Sequence, residues 1–228
     1  MGWKRRPPAG NVRRVVAITN NLRGTITNKT GHIVQYESFA ERSLLLHLER
    51  DRTVRDYASQ PETFVFAAPD GRMHRYTPDF IVWRTTDHIE IHEVTLSHRT
   101  DRLSQQWRMQ AAEQICRARA WQYMVHTEHT LPQGAELANL QVLHAYRPTG
   151  YADEQVQAWL EQHLPLDEPY TFGQIAQTIA ADMGQAATMI YPCLYHELWY
   201  DRLQMDWQRL FIMNGGPVQS TLVVRQEV

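Results

Sequence analysis

Two carboxylates stand at a spacing that suits phosphodiester chemistry. Asp79 lies in Thr77-Pro78-Asp79-Phe80, where a charged approach enters an apolar run, and Glu93 follows in His92-Glu93-Val94-Thr95. If both runs are strands, alternation turns Glu93 and Thr95 to one side and His92 to the other, and an antiparallel partner brings Asp79 beside them. A third acid, Glu41, lies on the Leu45 and Leu48 face of a helical stretch, where an unpaired buried charge is costly. Carboxylates gathered in this way repel one another until a proton or a cation intervenes. Hard oxygen donors favour magnesium, which stabilises the charge that builds on a scissile phosphate and activates the attacking water. Taken singly, Asp79 reads as a turn residue, Glu93 as an edge residue and Glu41 as an ordinary helix acid. Together, their spacing and their elements agree.

These acids need a scaffold that holds them rigidly. Glu37 to Arg50 reads as a helix, with Phe39, Leu44, Leu45 and Leu48 at helical spacing and no Pro or Gly. Three strand-like runs follow, Glu62 to Ala67, Arg75 to Val82 and Ile89 to Leu96, separated by turns at Pro69-Asp70-Gly71 and Thr85-Thr86-Asp87, which reads as a β-meander. A long amphipathic helix over Arg102 to Arg119 leads to a strand at Trp121 to Val125 and another at Leu140 to Tyr146. This order predicts an α/β domain with a mixed sheet. A boundary is expected at Pro148-Thr149-Gly150. Beyond it come helices at Asp153 to His163, Phe172 to Met183 and Gln185 to Tyr200, the first two capped by Asp153 and Thr171. A hairpin of Leu203 to Trp207 with Phe211 to Met213 would complete a small winged-helix-like module; the same pattern also reads as a generic helical cap on the first domain.

The composition narrows the function classes. With 228 residues and 43% hydrophobic content the chain supports a packed core, which sets aside disordered and fibrous classes. No run approaches the roughly eighteen apolar residues of a membrane span, and Met1 to Pro8 lacks the apolar region of a signal peptide. Cys116 and Cys193 sit in helix-like apolar stretches without metal-ligand spacing, so buried thiols are expected rather than a disulfide or zinc site. The net charge of −2 conceals an asymmetry: residues 1 to 36 hold Lys4, Arg5, Arg6, Arg13, Arg14, Arg23 and Lys29 and no acid. Such an arm is attracted to DNA phosphates, whereas the acidic remainder repels them unless its carboxylates hold cations.

A family resemblance rests on four segments: Tyr36-Glu37-Ser38-Phe39-Ala40-Glu41-Arg42-Ser43-Leu44-Leu45-Leu46, Gln60-Pro61, Tyr76-Thr77-Pro78-Asp79-Phe80-Ile81-Val82 and Glu93-Val94-Thr95. Together they resemble the amino-terminal domain of TnsA-type transposon endonucleases. The resemblance implies a restriction-endonuclease-like PD-(D/E)xK fold at 35–149, after a basic arm at 1–34 and before a winged-helix-like interaction domain at 150–228. It implies Glu41, Asp79 and Glu93 as catalytic ligands of Mg2+ or Mn2+, with Thr95 where the family carries its catalytic lysine. The expected activity is hydrolysis of the 5′, non-transferred strand at double-stranded transposon ends during cut-and-paste transposition. The expected partners are a TnsB-like DDE transposase and a TnsC-like AAA+ ATPase regulator, in the bacterial cytoplasm at the nucleoid and away from membranes.

Threonine offers a neutral hydroxyl where lysine offers charge. The chain's two lysines, Lys4 and Lys29, both lie in the basic arm. Candidate substitutes are His98, Arg99, Arg102 and a folded-over Lys29. The alternatives to an active subunit are a catalytically inactive adaptor linking transposase, regulator and DNA, and a stand-alone nuclease of the same fold. Residues 171 to 200 contain no Lys or Arg, which favours protein contact over DNA reading by the carboxy-terminal module.

Overall fold

The computed structural model describes residues 23–211 and 217–227. Lys4, Arg5, Arg6, Arg13 and Arg14 of the basic arm lie outside the described residues. The chain forms two compact units, one ending at Leu131 and the other beginning at Pro132.

The first unit opens with strands β1 (Gly24–Thr27) and β2 (Ile33–Tyr36), an antiparallel hairpin. Its turn is organised by buried Asn28, whose Oδ1 accepts from the His32 amide at 2.8 Å while its Nδ2 donates to the Tyr57 carbonyl at 2.9 Å. Helix α1 (Phe39–Arg50) follows and buries Leu44, Leu45, Leu46 and Leu48. Burying each leucine contributes about 1.5–3 kcal/mol. Next come β3 (Val54–Ser59), β4 (Phe64–Ala67), β5 (Met73–Tyr76), β6 (Phe80–Arg84) and β7 (Ile89–Val94). The short α2 (Ser97–Thr100) and the long α3 (Leu103–Ala118) lead to β8 (Gln122–His126).

Four strands form the main sheet, in the order β3-β6-β7-β8. The first three pair antiparallel and β7 with β8 parallel, so the sheet is mixed and α3 is the crossover that the parallel pair requires. Strand β6 is buried over Phe80, Ile81, Val82 and Trp83, which is why it reads as a continuous apolar run at the centre of the sheet. On one face, Ile81, Trp83 and Ile91 pack with Phe64, Tyr76 and, from α3, Ala112 and Cys116. On the other, Tyr57 donates to Glu49 of α1 at 2.8 Å.

The expected meander is corrected in two respects. The run Arg75 to Val82 is not one strand: Met73–Tyr76 pairs with β4 in a separate hairpin, while Phe80–Arg84 pairs with β3 and β7. Pro78, which has no N–H to give a ladder, stands in the break. Strand β3 was not anticipated, because Val-Arg-Asp-Tyr-Ala-Ser lacks clean alternation and its pairing with β6 is shifted between Val54 and Asp56.

The second unit contains α4 (Gly134–Leu143), α5 (Glu154–His163), β9 (Pro169–Thr171), α6 (Phe172–Met183), α7 (Ala187–Trp199), β10 (Leu203–Met205) and β11 (Leu222–Arg225). Asp153 caps α5 by accepting from the amides of Gln155 and Val156, Thr171 caps α6, and Gly184 at φ 64 ends it. Leu140 to Tyr146 is helical rather than extended. Leu140 and Leu143 are buried at helical spacing, and fully buried Asn139 donates to the carbonyls of Trp207 and Arg209 and accepts from the Phe211 amide at 2.7 Å. These bonds place residues 132–149 in the second unit, so the boundary falls at 131/132 instead of 149/150. Strand β10 pairs with β11, in a sheet of order β10-β11-β9; of the partner expected at Phe211 to Met213, Phe211 is held by Asn139, and Ile212 and Met213 lie outside the described residues. Cys116 is buried and Cys193 half-buried, and both are free thiols. Among the described residues no helix is long and apolar enough to cross a membrane.

Candidate active site

Glu41 enters the site through the start of α1. Ser38 is the N-cap, its Oγ accepting from the Glu41 amide at 3.1 Å, and the Glu41 carboxylate accepts from the Ser38 hydroxyl at 3.0 Å and the Glu37 amide at 2.8 Å. Ser38-Phe39-Ala40-Glu41 therefore behaves as a capping box, a spacing legible in the sequence. The same carboxylate remains close enough for its charge to act on Asp79.

Asp79 is held by backbone on both sides. Its carbonyl accepts from the Gln60 amide at 2.7 Å, and its Oδ2 accepts from the Val94 amide at 2.8 Å. Gln60 adopts φ 47, left-handed backbone that a non-glycine residue holds only at a cost of order 1–3 kcal/mol. That strained turn fixes the point from which β6 departs. Glu93, near the end of β7, is 7% exposed and hydrogen-bonded to Asp79. Burial, then the charges of Glu93 and Glu41, push Asp79 well above the ordinary carboxylate range. Burial also raises Glu93, against the opposing pull of the Tyr76 hydroxyl, the Arg108 charge and Gln105.

The surroundings of Glu93 contain residues not singled out from sequence. Tyr76 of β5 donates to Glu93 Oε2, and Tyr123 of β8 stands 3.4 Å from the Tyr76 hydroxyl. Gln105 and Arg108 approach from α3, linked by a bond from Arg108 Nη2 to Gln105 Oε1. Their i, i+3 spacing on an amphipathic helix was the available signal. A cleft of about 580 Å3 between α3 and β8, bordered by Gln106, Gln110 and Tyr123, opens beside this group.

Thr95 lies one residue past β7, its amide donating to the His126 carbonyl at 2.9 Å. Lys29 does not fold across to it. Its Nζ donates to the carbonyls of Asp51 and Val54, where β3 faces the Arg84 end of β6, the end away from Asp79. At about 3.3 Å per strand residue, that is roughly 15 Å from the acids. His98, Arg99 and Arg102 are exposed, and Arg23 precedes β1.

Of the three expected acids, Asp79 and Glu93 meet directly and Glu41 acts at longer range. No three His, Cys, Asp or Glu side chains among the described residues converge closely enough to enclose an ion. Magnesium nevertheless needs only one or two protein carboxylates when waters and substrate phosphates complete its shell. A buried acid pair that must otherwise hold a proton fits that donor set.

Residues 51–128 match the family model described as TnsA-like endonuclease N terminal. This segment is similar to the amino-terminal domain of TnsA-like endonucleases. The match spans Asp79, Glu93 and Thr95, and begins after Glu41. The mixed sheet flanked by α1 and α3 is the restriction-endonuclease-like architecture expected of it. No curated protein matches the chain.

Proposed function

We propose that the chain is the DNA-cutting subunit of a transposase complex, hydrolysing the 5′, non-transferred strand at double-stranded transposon ends. The observation that carries this reading is the buried pair of acids Asp79 and Glu93, both raised by burial, inside the segment that matches TnsA-like endonucleases. A structural ion pair would include its own cation. This pair is set against itself, an arrangement that costs stability and is retained where chemistry uses it. In hydrolysis a water oxygen bonds to phosphorus, the bond from phosphorus to one sugar oxygen breaks, and that oxygen departs with a proton.

Asp79 and Glu93 would hold Mg2+ or Mn2+, with Glu41 lending charge from the head of α1. When bound, the ion neutralises charge on the phosphate and lowers the pKa of a coordinated water. Tyr76 and Gln105 orient Glu93, and the Val94 amide orients Asp79. The second unit, with α6 and α7 against the sheet of β9, β11 and β10 and no Lys or Arg from 171 to 200, fits a winged-helix-like module that docks protein: the TnsB-like transposase and the TnsC-like regulator.

One observation favours a second reading. Thr95 at the lysine position supports an adaptor that has ceased to cut. Strand-specific cleavage by the reconstituted complex with magnesium separates the two. Loss of 5′ cuts in Asp79→Ala is expected for the enzyme. A wild-type chain that leaves the 5′ strand intact beside an active transposase establishes the adaptor.

A further inference from the structure

Thr95 leaves the site without a lysine, yet a cation from another element acts on Glu93. Arg108 on α3 is the base whose charge acts on Glu93. Its Cζ lies 5.9 Å from the centroid of the Tyr76 ring, the ring whose hydroxyl binds Glu93. Its Nη2 is tied to Gln105, which is 5% exposed and itself hydrogen-bonds Glu93. Arg108 forms no ion pair with an acid among the described residues, and its Nε is buried without a hydrogen-bond partner. A structural arginine ordinarily ends on a carboxylate, as Arg84 does on Asp51 and Glu90 at 2.5 and 2.8 Å. This one is anchored by an amide and a ring and keeps its Nε without a partner while its charge acts on Glu93.

We propose that Arg108 is the phosphate-binding cation of this site, supplying from α3 the charge that Thr95 does not supply from β7, with Gln105 as its positioning residue. The inference rests on the reading of Asp79 and Glu93 as a nuclease centre. Guanidinium donors match phosphate oxygens in pairs and stay protonated, so Arg108 binds and neutralises the phosphate and takes no proton from the attacking water. A position on the crossover helix serves as well as one on the strand, because the i, i+3 bond to Gln105 fixes the side chain against the same glutamate.

The test is binding of a fluorescein-labelled random-sequence DNA duplex across a salt series, with Ca2+ in place of Mg2+, alongside cleavage by the reconstituted complex. Arg108→Ala is expected to reduce the slope of log K against log salt by about 0.9, one phosphate contact. Arg108→Lys keeps the slope, and Thr95→Lys restores it in the Arg108→Ala background. Cleavage by Arg108→Ala falls by about 10²-fold or more. An unchanged slope in Arg108→Ala, or no duplex binding by the wild-type chain, overturns the proposal whether or not DNA is cut. A lowered slope beside a wild-type chain that does not cut removes the nuclease reading and leaves Arg108 as a phosphate contact.

Discussion

Strand β7 carries Glu90 and Glu93, three positions apart on opposite faces of the same sheet, and the fold treats them in opposite ways. Glu90 accepts from Arg84 at 2.8 Å and His92 at 2.9 Å, and although burial pushes its pKa up, these bonds hold it down at about 2. The network continues to Asp51 through Arg84 and to His126 through His92, the two histidines stacked 4.9 Å apart. Glu93 faces another acid, and its pKa is raised. The first arrangement stabilises the fold. The second costs stability and leaves charge for a ligand to answer. Burial alone therefore does not mark a functional acid; what the acid is paired with does.

The largest effect that could break this contrast is on cleavage. Asp79→Ala should lower 5′-strand cutting by about 10³-fold, while Glu90→Gln should leave the rate per folded molecule within a few-fold. Equal losses in both variants would end the distinction. Stability should respond the other way round. In urea titrations at neutral pH with chelator present, Glu90→Gln should lose roughly 1–3 kcal/mol, since it takes the carboxylate from His92 and leaves Arg84 paired with Asp51 alone. Asp79→Asn should gain roughly 0.5–2 kcal/mol by removing the acid conflict while keeping an acceptor for the Val94 amide.

The pH profile of the metal-free protein sharpens the same point. A raised carboxyl pKa means the folded state binds more protons, so the contribution of Asp79 and Glu93 is present below about pH 4 and lost as pH rises through their folded values. Glu90 works in reverse: its contribution is present above about pH 4 and lost as pH falls towards its folded value. His126 is held neutral, its pKa lowered to about 4 by burial and by His92 and His47, so it too loses stability as pH falls below about 6.5. Asp79→Asn should flatten the alkaline limb and Glu90→Gln the acid one; a single limb moved by both variants would contradict the assignment.

Magnesium at about ten times its dissociation constant should add about 1.4 kcal/mol to the wild-type chain and nothing to Asp79→Ala, measured as a shift in thermal midpoint. The smallest effect concerns the entry of Glu41. Ser38→Ala removes the cap of α1 and should cost about 1 kcal/mol; a loss of cleavage beyond that destabilisation would mean the cap also aims the Glu41 carboxylate.

Much of this was legible in the chain itself. The apolar spacing in α1 and α3, the caps at Asp153 and Thr171, and the strand bearing Glu93 follow from local periodicity and turn chemistry, which act over a few residues. Alternation along β7 also put Glu93 and His92 on opposite faces, as the structure has them. What local pattern could not decide was partnership between distant segments. Val54–Ser59 is a strand because β6 lies beside it, Leu140 to Tyr146 is helical because Asn139 anchors residues seventy positions away, and the break at Pro78 shows only in which strands each half joins. The two glutamates of β7 look alike in sequence. Arg84 from β6 pairs one with a cation and Asp79, from the amino-terminal edge of β6, sets the other against an acid, because electrostatic character depends on neighbours in space and on the water that packing excludes.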